Sequence, residues 1–181
     1  MSPEVLVLPM LSAQLFTGLQ PMQLKVLALH ADRVAFQAGE RLVGEGEEGD
    51  AAFLVVSGTV AAIDSETGET GEPMAAGTVV GEMAMFIDMV HGSSVVALEG
   101  VAALKFERSM MTRLMTEDPE LAGHFVECMR ERLLDTARRL REIDEALPDH
   151  APMPIDDDVL ADAGAGGTSS AFDGEPRWST H

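Results

Sequence analysis

The sequence predicts a mainly β domain with flanking α structure. A β-roll (jelly roll) follows an N-terminal helical segment and precedes a long C-terminal helix. Three observations carry this expectation. Between Arg33 and Glu107, short apolar runs alternate with glycine-bearing turns. Before them, Leu15, Phe16, Leu19, Leu24, Leu27 and Leu29 recur at roughly helical spacing, interrupted by Gly18 and Pro21. After them, Ala122, Val126, Met129, Leu133, Thr136, Leu140, Ile143 and Leu147 alternate in steps of four and three.

Residues 1–32 read as one or two short helices. Residues 33–108 read as the roll. Its strands are Arg33–Phe36, Ala51–Ser57, Thr59–Ile63, Ser94–Leu98 and Ala102–Phe106. Turn signals this frequent suit an all-β barrel or jelly roll rather than alternating β-α-β units. Residues 109–147 are helical. Ser109 is expected to cap a short helix ending at Glu117. Asp118-Pro119-Glu120 then starts a second helix, with Asp as cap, Pro in the first position and an acid in the first turn. Pro148, Pro152 and Pro154 stop it. Residues 148–181 hold four Pro, four Gly, seven acids and one base, and are expected to be a disordered acidic tail. Phe172 and Trp178 are its apolar spots. The tail is an inert linker or a short docking peptide.

Composition narrows the function. The net charge of -19, from 31 acids and 12 bases, repels nucleic acid and anionic lipid. Aromatics at 4% supply no stacking platform for single strands. One cysteine forms no internal disulfide and fits a reducing cytoplasm. The N-terminus lacks the basic flank of a signal peptide, and the apolar run Val5 to Leu8 is too short to span a bilayer. The expected location is the cytoplasm, without membrane insertion.

The C-terminal periodicity is a heptad seam. With Val126, Leu133, Leu140 and Leu147 at a, residues Met129, Thr136 and Ile143 fall at d. Arg139 then stands at g and Asp144 at the following e, which suits an ion pair between parallel helices. The seam either packs on its own roll or pairs with a second copy through residues 122–147. The latter is expected, because the C-terminal half extends too far for the roll to cover. Cys128 falls at c, off the seam.

Several other groups carry no site. Met74, Met83, Met85 and Met89 suit adaptable core filling. His30, His124, His150 and His181 lack metal-ligand spacing. Glu45, Glu47, Glu48 and Asp50 do not match a calcium-loop pattern and read as a solvated acidic turn. No nucleophile–base pattern is present, so no catalysis is expected.

The ordered set of turns and strands resembles the cyclic-nucleotide-binding domain of the catabolite activators, cyclic-nucleotide-regulated kinases and gated channels. The match covers about residues 15–145. It rests on Leu15-Phe16-Thr17-Gly18-Leu19, Ala38-Gly39-Glu40, Gly46-Glu47-Glu48-Gly49-Asp50, Ser57-Gly58 and Gly77. Above all it rests on Gly81-Glu82-Met83-Ala84, a spacer of six residues, and His91-Gly92-Ser93-Ser94. That last stretch is similar to the family's phosphate cassette, Gly-Glu-Leu-Ala, a spacer, then Arg-Ala/Thr-Ala-Thr.

The resemblance implies roles. Glu82 accepts from a ribose 2′-hydroxyl. Gly81, Met83 and Ala84 bring backbone amides to a cyclic phosphate, and Gly92, Ser93 and Ser94 are the small and hydroxylated residues after the cation. Thr136 stands on the helix from which, in the catabolite activators, a hydroxyl reaches the adenine. His91 departs from the pattern, because it stands where the family has Arg. Imidazole cannot fork onto a phosphate and carries no permanent charge. Losing one charged hydrogen-bond partner costs on the order of 1.5–3 kcal/mol, or roughly ten- to a hundredfold in affinity.

Two readings follow. In one, the chain is a non-catalytic adaptor with a degenerate cassette, acting through dimerisation and docking of an unidentified protein effector. In the other, it is a regulatory subunit that still takes cAMP or cGMP, weakly or with a protonated His91. A third, a transcription factor of the catabolite activator type, needs about 60–80 further residues with a basic recognition face. Only 34 residues follow Leu147, with Arg177 as their sole cation.

Overall fold

The computed structural model describes residues 3–146 apart from Glu66. The expectations for Leu147 and for the tail lie outside these residues. Two compact units divide the chain, Met1–Thr136 and Ala137–His181.

Proline and glycine set the N-terminal boundaries. Helix α1 is Pro3–Ser12, and α2 is Pro21–His30, with Pro21 at its first position. Gln20 and Gln23 close α2's start reciprocally, each side chain serving the other's backbone. A short 3-10 turn, Gln14–Phe16, lies between the helices. Of the residues at helical spacing, Leu15 and Phe16 lie in the 3-10 turn, Leu24 and Leu27 in α2 and Leu19 between the two, and all five are buried. Leu29 lies in α2, as its spacing implies, and is 66% exposed.

Nine strands follow among the described residues. They are β1 (Asp32–Phe36), β2 (Arg41–Val43), β3 (Glu48–Gly49), β4 (Ala51–Ser57), β5 (Val60–Ile63), β6 (Val79–Val80), β7 (Met89–Val90), β8 (Ser94–Ala97) and β9 (Val101–Glu107). All five strands expected from sequence are present. The additional β2, β3, β6 and β7 are only two or three residues long, too short to show an apolar alternation. The strands form antiparallel sheets with orders β1-β9-β4-β6, β2-β8-β5 and β3-β7.

Strands β4 and β9 are apolar on both faces because both faces are covered. Ala52 and Leu54 of β4, with Leu104 and Phe106 of β9, pack toward the helices. Val55, Val101 and Ala103 face the roll interior, with Leu42, Val43, Val60, Val80, Val95 and Ala97. Chain reversal between β4 and β5 needs Gly58 at φ 89°, and a methyl there would lie 2.5 Å from the Gly100 carbonyl oxygen.

Helix α3 is Arg108–Glu117 and α4 is Pro119–Ala146. Ser109 does not cap α3, contrary to expectation. The helix begins two residues earlier than a Ser109 cap would place it, with Glu107 at the cap position and no side-chain cap bond. It grows directly out of β9, so the strand fixes its entry without a cap. Asp118 does cap α4. Its Oδ1 accepts from the Glu120 and Leu121 amides, each at 3.0 Å, and its Oδ2 accepts from Gln23 Nε2 at 3.0 Å.

The first two turns of α4 belong to the core. Phe125 packs edge-on to Phe16 at 6.3 Å and tilted on Phe86 at 5.1 Å, and Phe16 meets Phe106 at 5.5 Å. His124 Nε2 lies 2.9 Å from the Leu15 carbonyl oxygen. This cluster joins the N-terminal helices, the sheet and α4 in one unit. No helix among the described residues is long and apolar enough to cross a membrane.

The Asp118 carboxyl is held below its ordinary value, chiefly by the Gln23 hydrogen bond, then by the Leu121 amide. A depressed folded value stabilises the fold above the ordinary carboxylate pKa of about 3.9, and that contribution is lost as pH falls through the depressed value. Thermal melts of Asp118→Ala are expected to drop by a few degrees at pH 7. The gap from the parent should close in strongly acidic buffer. A gap independent of pH would show that the carboxylate's charge has no part in the cap.

Candidate functional site

The candidate site forms where three backbone segments converge. Gly81 adopts a left-handed conformation, φ 70° and ψ 29°, which glycine enters without penalty. That turn redirects the chain from β6 into the 3-10 turn Glu82–Met85. The Ala84 amide donates to the Gly81 carbonyl at 2.9 Å, closing the turn. Ala84 and Met85 are fully buried and anchor it from beneath.

His91 is pinned by its backbone. Its N–H donates to the Glu47 carbonyl, and its carbonyl accepts from the Gly46 amide, both at 2.9 Å. The residue is only 8% exposed. Its ring fits against positions that have no side chain. A methyl at Gly49 would lie 2.7 Å from His91 Nε2 and 2.7 Å from Ala84 Cβ. A methyl at Gly81 would lie 3.1 Å from His91 Cε1. Among the described residues, the ring nitrogens have no hydrogen-bond partner. Position 91 is therefore an inward-packed imidazole at the floor of the cassette.

The small residues after it diverge in surroundings. Gly92 and Ser93 are exposed and Ser94 is half-buried. Ser94 Oγ accepts from the Glu45 amide at 3.0 Å, which ties the acidic turn to the end of the cassette. In that turn Arg41 pairs with Glu47 at 2.6 Å, and Glu45 accepts from the Ser65 hydroxyl. The four acids of the turn are exposed, as the sequence reading has it, and Glu45 and Glu47 also bond to residues outside it.

Glu82 also differs from its expected surroundings. Sequence reasoning left it without a cation. Arg132 Nη2, on α4, lies 2.7 Å from Glu82 Oε2, and the Glu82 side chain is 18% exposed. Fifty residues separate the pair, so no local spacing announced it. The usable signal was the placement of Arg132 four residues after Cys128 and seven after Phe125, on the buried side of α4. Arg108 was missed as well. Its amide donates to the Asp50 carbonyl at 2.8 Å. Its Nη1 lies 2.7 Å from Asp88 Oδ1, outside hydrogen-bond angles. The contact joins the loop after the 3-10 turn to the start of α3.

Thr136 is exposed, and its hydroxyl donates to the Arg132 carbonyl at 2.9 Å, one turn back on the same helix. Cys128 is half-buried, with Sγ 3.5 Å from His124 Nε2. Burial first, then the carboxylates of Glu131, Glu82 and Glu127, push its thiol pKa up. A shift in this direction makes the thiolate scarcer than at a free cysteine. Val126 and Leu133, at heptad spacing, are 58% and 62% exposed, so the roll does not cover them; Leu140 and Ile143, further along, are 61% and 57% exposed.

Comparison with known proteins follows this geometry. Residues 33–118 match the family model described as the cyclic nucleotide-binding domain. The CRP-like cAMP-activated global transcriptional regulator of Mycobacterium tuberculosis is 24% identical over 135 residues, covering 72% of this chain and 60% of that protein. The cAMP-dependent protein kinase regulatory subunit of Emericella nidulans is 32% identical over 101 residues, covering 56% of this chain and 24% of that one. Among solved structures, a cyclic nucleotide-binding domain from Methylobacillus flagellatus superposes with a TM-score of 0.62 at 25% identity, covering 84% of this chain and 86% of that chain. The chain thus spans 60% of the mycobacterial regulator and about a quarter of the kinase subunit.

The packing of His91 on Gly49 is directly testable. Gly49→Ala forces a methyl onto the imidazole and is expected to cost about 1–3 kcal/mol in urea unfolding. Adding His91→Ala should recover part of that loss. If the double variant is as unstable as the sum of the two single changes, the ring does not occupy that space.

Proposed function

Residues 33–118 belong to the cyclic nucleotide-binding domain family, and from that premise we propose a non-catalytic regulatory adaptor with a degenerate phosphate cassette. It works by self-association along α4 and by docking a protein effector. The observation that supports this reading is His91. The family's cassette needs a cation that forks onto a diester phosphate. Here an imidazole packed on Gly49 and Gly81 stands in its place, and the nearby guanidinium of Arg132 is bonded to Glu82. The relatives' printed names describe regulators, which agrees with a role without chemistry.

A second reading keeps ligand control. The left-handed turn at Gly81 is intact and Glu82 is present, so a cyclic nucleotide would find part of its cradle. Binding would then be weak, or helped by a protonated His91. cAMP and cGMP are the ligands to test.

Self-association is supported by the four exposed apolar residues at heptad spacing. Removing α4 whole would not test it cleanly, because Leu121 and Phe125 are core residues. Leu133→Asp with Leu140→Asp leaves that core alone. Light scattering is expected to give a dimer for the parent chain and a monomer for the double variant. A monomeric parent, or a variant that remains dimeric, would dispose of the seam.

The cassette is tested by one substitution. At pH 7.5 with millimolar cAMP or cGMP, the parent chain is expected to show little thermal stabilisation, and His91→Arg several degrees. Strong and equal stabilisation of both proteins would defeat the degenerate-cassette reading.

A further inference from the structure

We propose that the groove between α2 and the α3–α4 junction is where the protein effector docks, and that its occupant is a basic amphipathic helix. That helix places one leucine- or phenylalanine-sized side chain in the groove and a lysine or arginine at its rim. The inference rests on the adaptor reading and names the surface and the partner's chemistry, which that reading leaves open.

The groove holds an apolar cavity of about 150 Å³. Met22 and Val26 of α2 form one wall, and the buried Leu114 of α3 and Leu121 of α4 line its base. A cavity of this size takes a single benzene-like ring. Its walls are braced without a ligand. Gln23 Nε2 donates to Asp118 Oδ2 at 3.0 Å, and Gln20 Nε2 to Glu120 Oε2 at 3.3 Å. Both bonds tie the start of α2 to the start of α4.

The apolar strip runs on beyond the cavity. Leu29 stands three residues after Val26 and seven after Met22, on one face of α2. Met22 is 69% exposed and Leu29 66%. With the cavity they make a contiguous apolar patch, which marks an interaction surface where a scattered residue does not. Seven helical residues cover about 10 Å, which suits two turns of a partner helix. An extended strand fits worse. The backbone of α2 is bonded within its own helix, so a strand's N–H and C=O groups would find no ladder.

Charge selects the sign of the partner. Glu117 and Asp118 line the cavity, and no cation among the described residues does. Asp118 is already committed to Gln23 and to the α4 cap. Glu117 is exposed, and among the described residues its carboxylate has no hydrogen-bond or ion-pair partner. It is free to receive an ammonium or guanidinium. A second copy of this chain suits the groove less, because it carries the same net charge of -19.

The test titrates the full chain with a synthetic helical peptide of alanine and lysine carrying one phenylalanine. Its twin with glutamate for lysine is the control. With methionine methyls labelled for NMR, the lysine peptide should shift the Met22 resonance. Those of Met83 and Met89, in the cassette segment, should stay in place, and the glutamate twin should shift none. Met22→Asp alters an exposed side chain, so the fold tolerates it, and it should weaken binding at least about tenfold. Glu117→Gln should weaken binding about two- to fivefold and reduce its salt dependence. Equal binding by the parent and Met22→Asp, or equal binding of both peptides, overturns the proposal. So does a full chain that takes neither peptide.

Leu133→Asp/Leu140→Asp should bind the lysine peptide as the parent does. Loss of binding there would move docking to the α4 seam, which sinks the groove and leaves the adaptor reading standing. A lower light-scattering mass for Met22→Asp would make a second copy the occupant and overturn the proposal as well. The adaptor reading falls on a different result, strong and equal stabilisation of the parent and His91→Arg by cyclic nucleotide.

Discussion

The imidazole of His91 lies against two backbone segments that carry no side chain, Gly49 in β3 and Gly81 at the start of the 3-10 turn. Its own backbone is held between Glu47 and Gly46. These contacts set how close the acidic turn, the 3-10 turn and β7 approach each other. A larger residue at Gly49 or Gly81 would push them apart. The fold thus spends two glycines on seating one ring. That seat fixes the chemistry of the cassette: the group at its floor is planar, packed inward and without permanent charge.

The second constraint is the aromatic cluster of Phe16, Phe86, Phe106 and Phe125. Phe86 follows the 3-10 turn directly, and Phe125 sits on α4. The cassette and the helix therefore share one piece of core. Arg132, two turns beyond Phe125, reaches Glu82 because that core holds the helix base in place. The apolar residues at 126, 133, 140 and 143 fall on another face and stay exposed. One helix thus meets Glu82 with one side and leaves apolar residues exposed on another.

The sequence made the roll, its five longer strands and the Asp118 start of α4 legible. Alternating apolar runs, frequent glycines and the Asp-Pro-Glu sequence are local signals, and local signals survive in one dimension. The missed strands are two or three residues long and exist because their partners hold them. Glu48 and Gly49, for example, pair with Val90 and Met89. The α3 start was misplaced because a strand running straight into a helix needs no cap. Leu29 fits helical spacing yet points to solvent, since α2 has only one buried side. At the cassette, the sequence revealed that position 91 lacks an arginine. It did not reveal that Glu82 has one. That pairing depends on the packing angle of α4, whereas the spacing of Arg132 from Phe125 and Cys128 gives only the side of the helix it occupies.

An imidazole without a fixed positive charge stands at position 91, and the proposed loss of phosphate binding turns on it. Calorimetric titration of the full chain with cAMP and cGMP at pH 6 and pH 8 measures this most directly. Little or no heat is expected at pH 8, with any binding confined to pH 6, where an imidazole can take up a proton. Tight binding of equal strength at both values would contradict it.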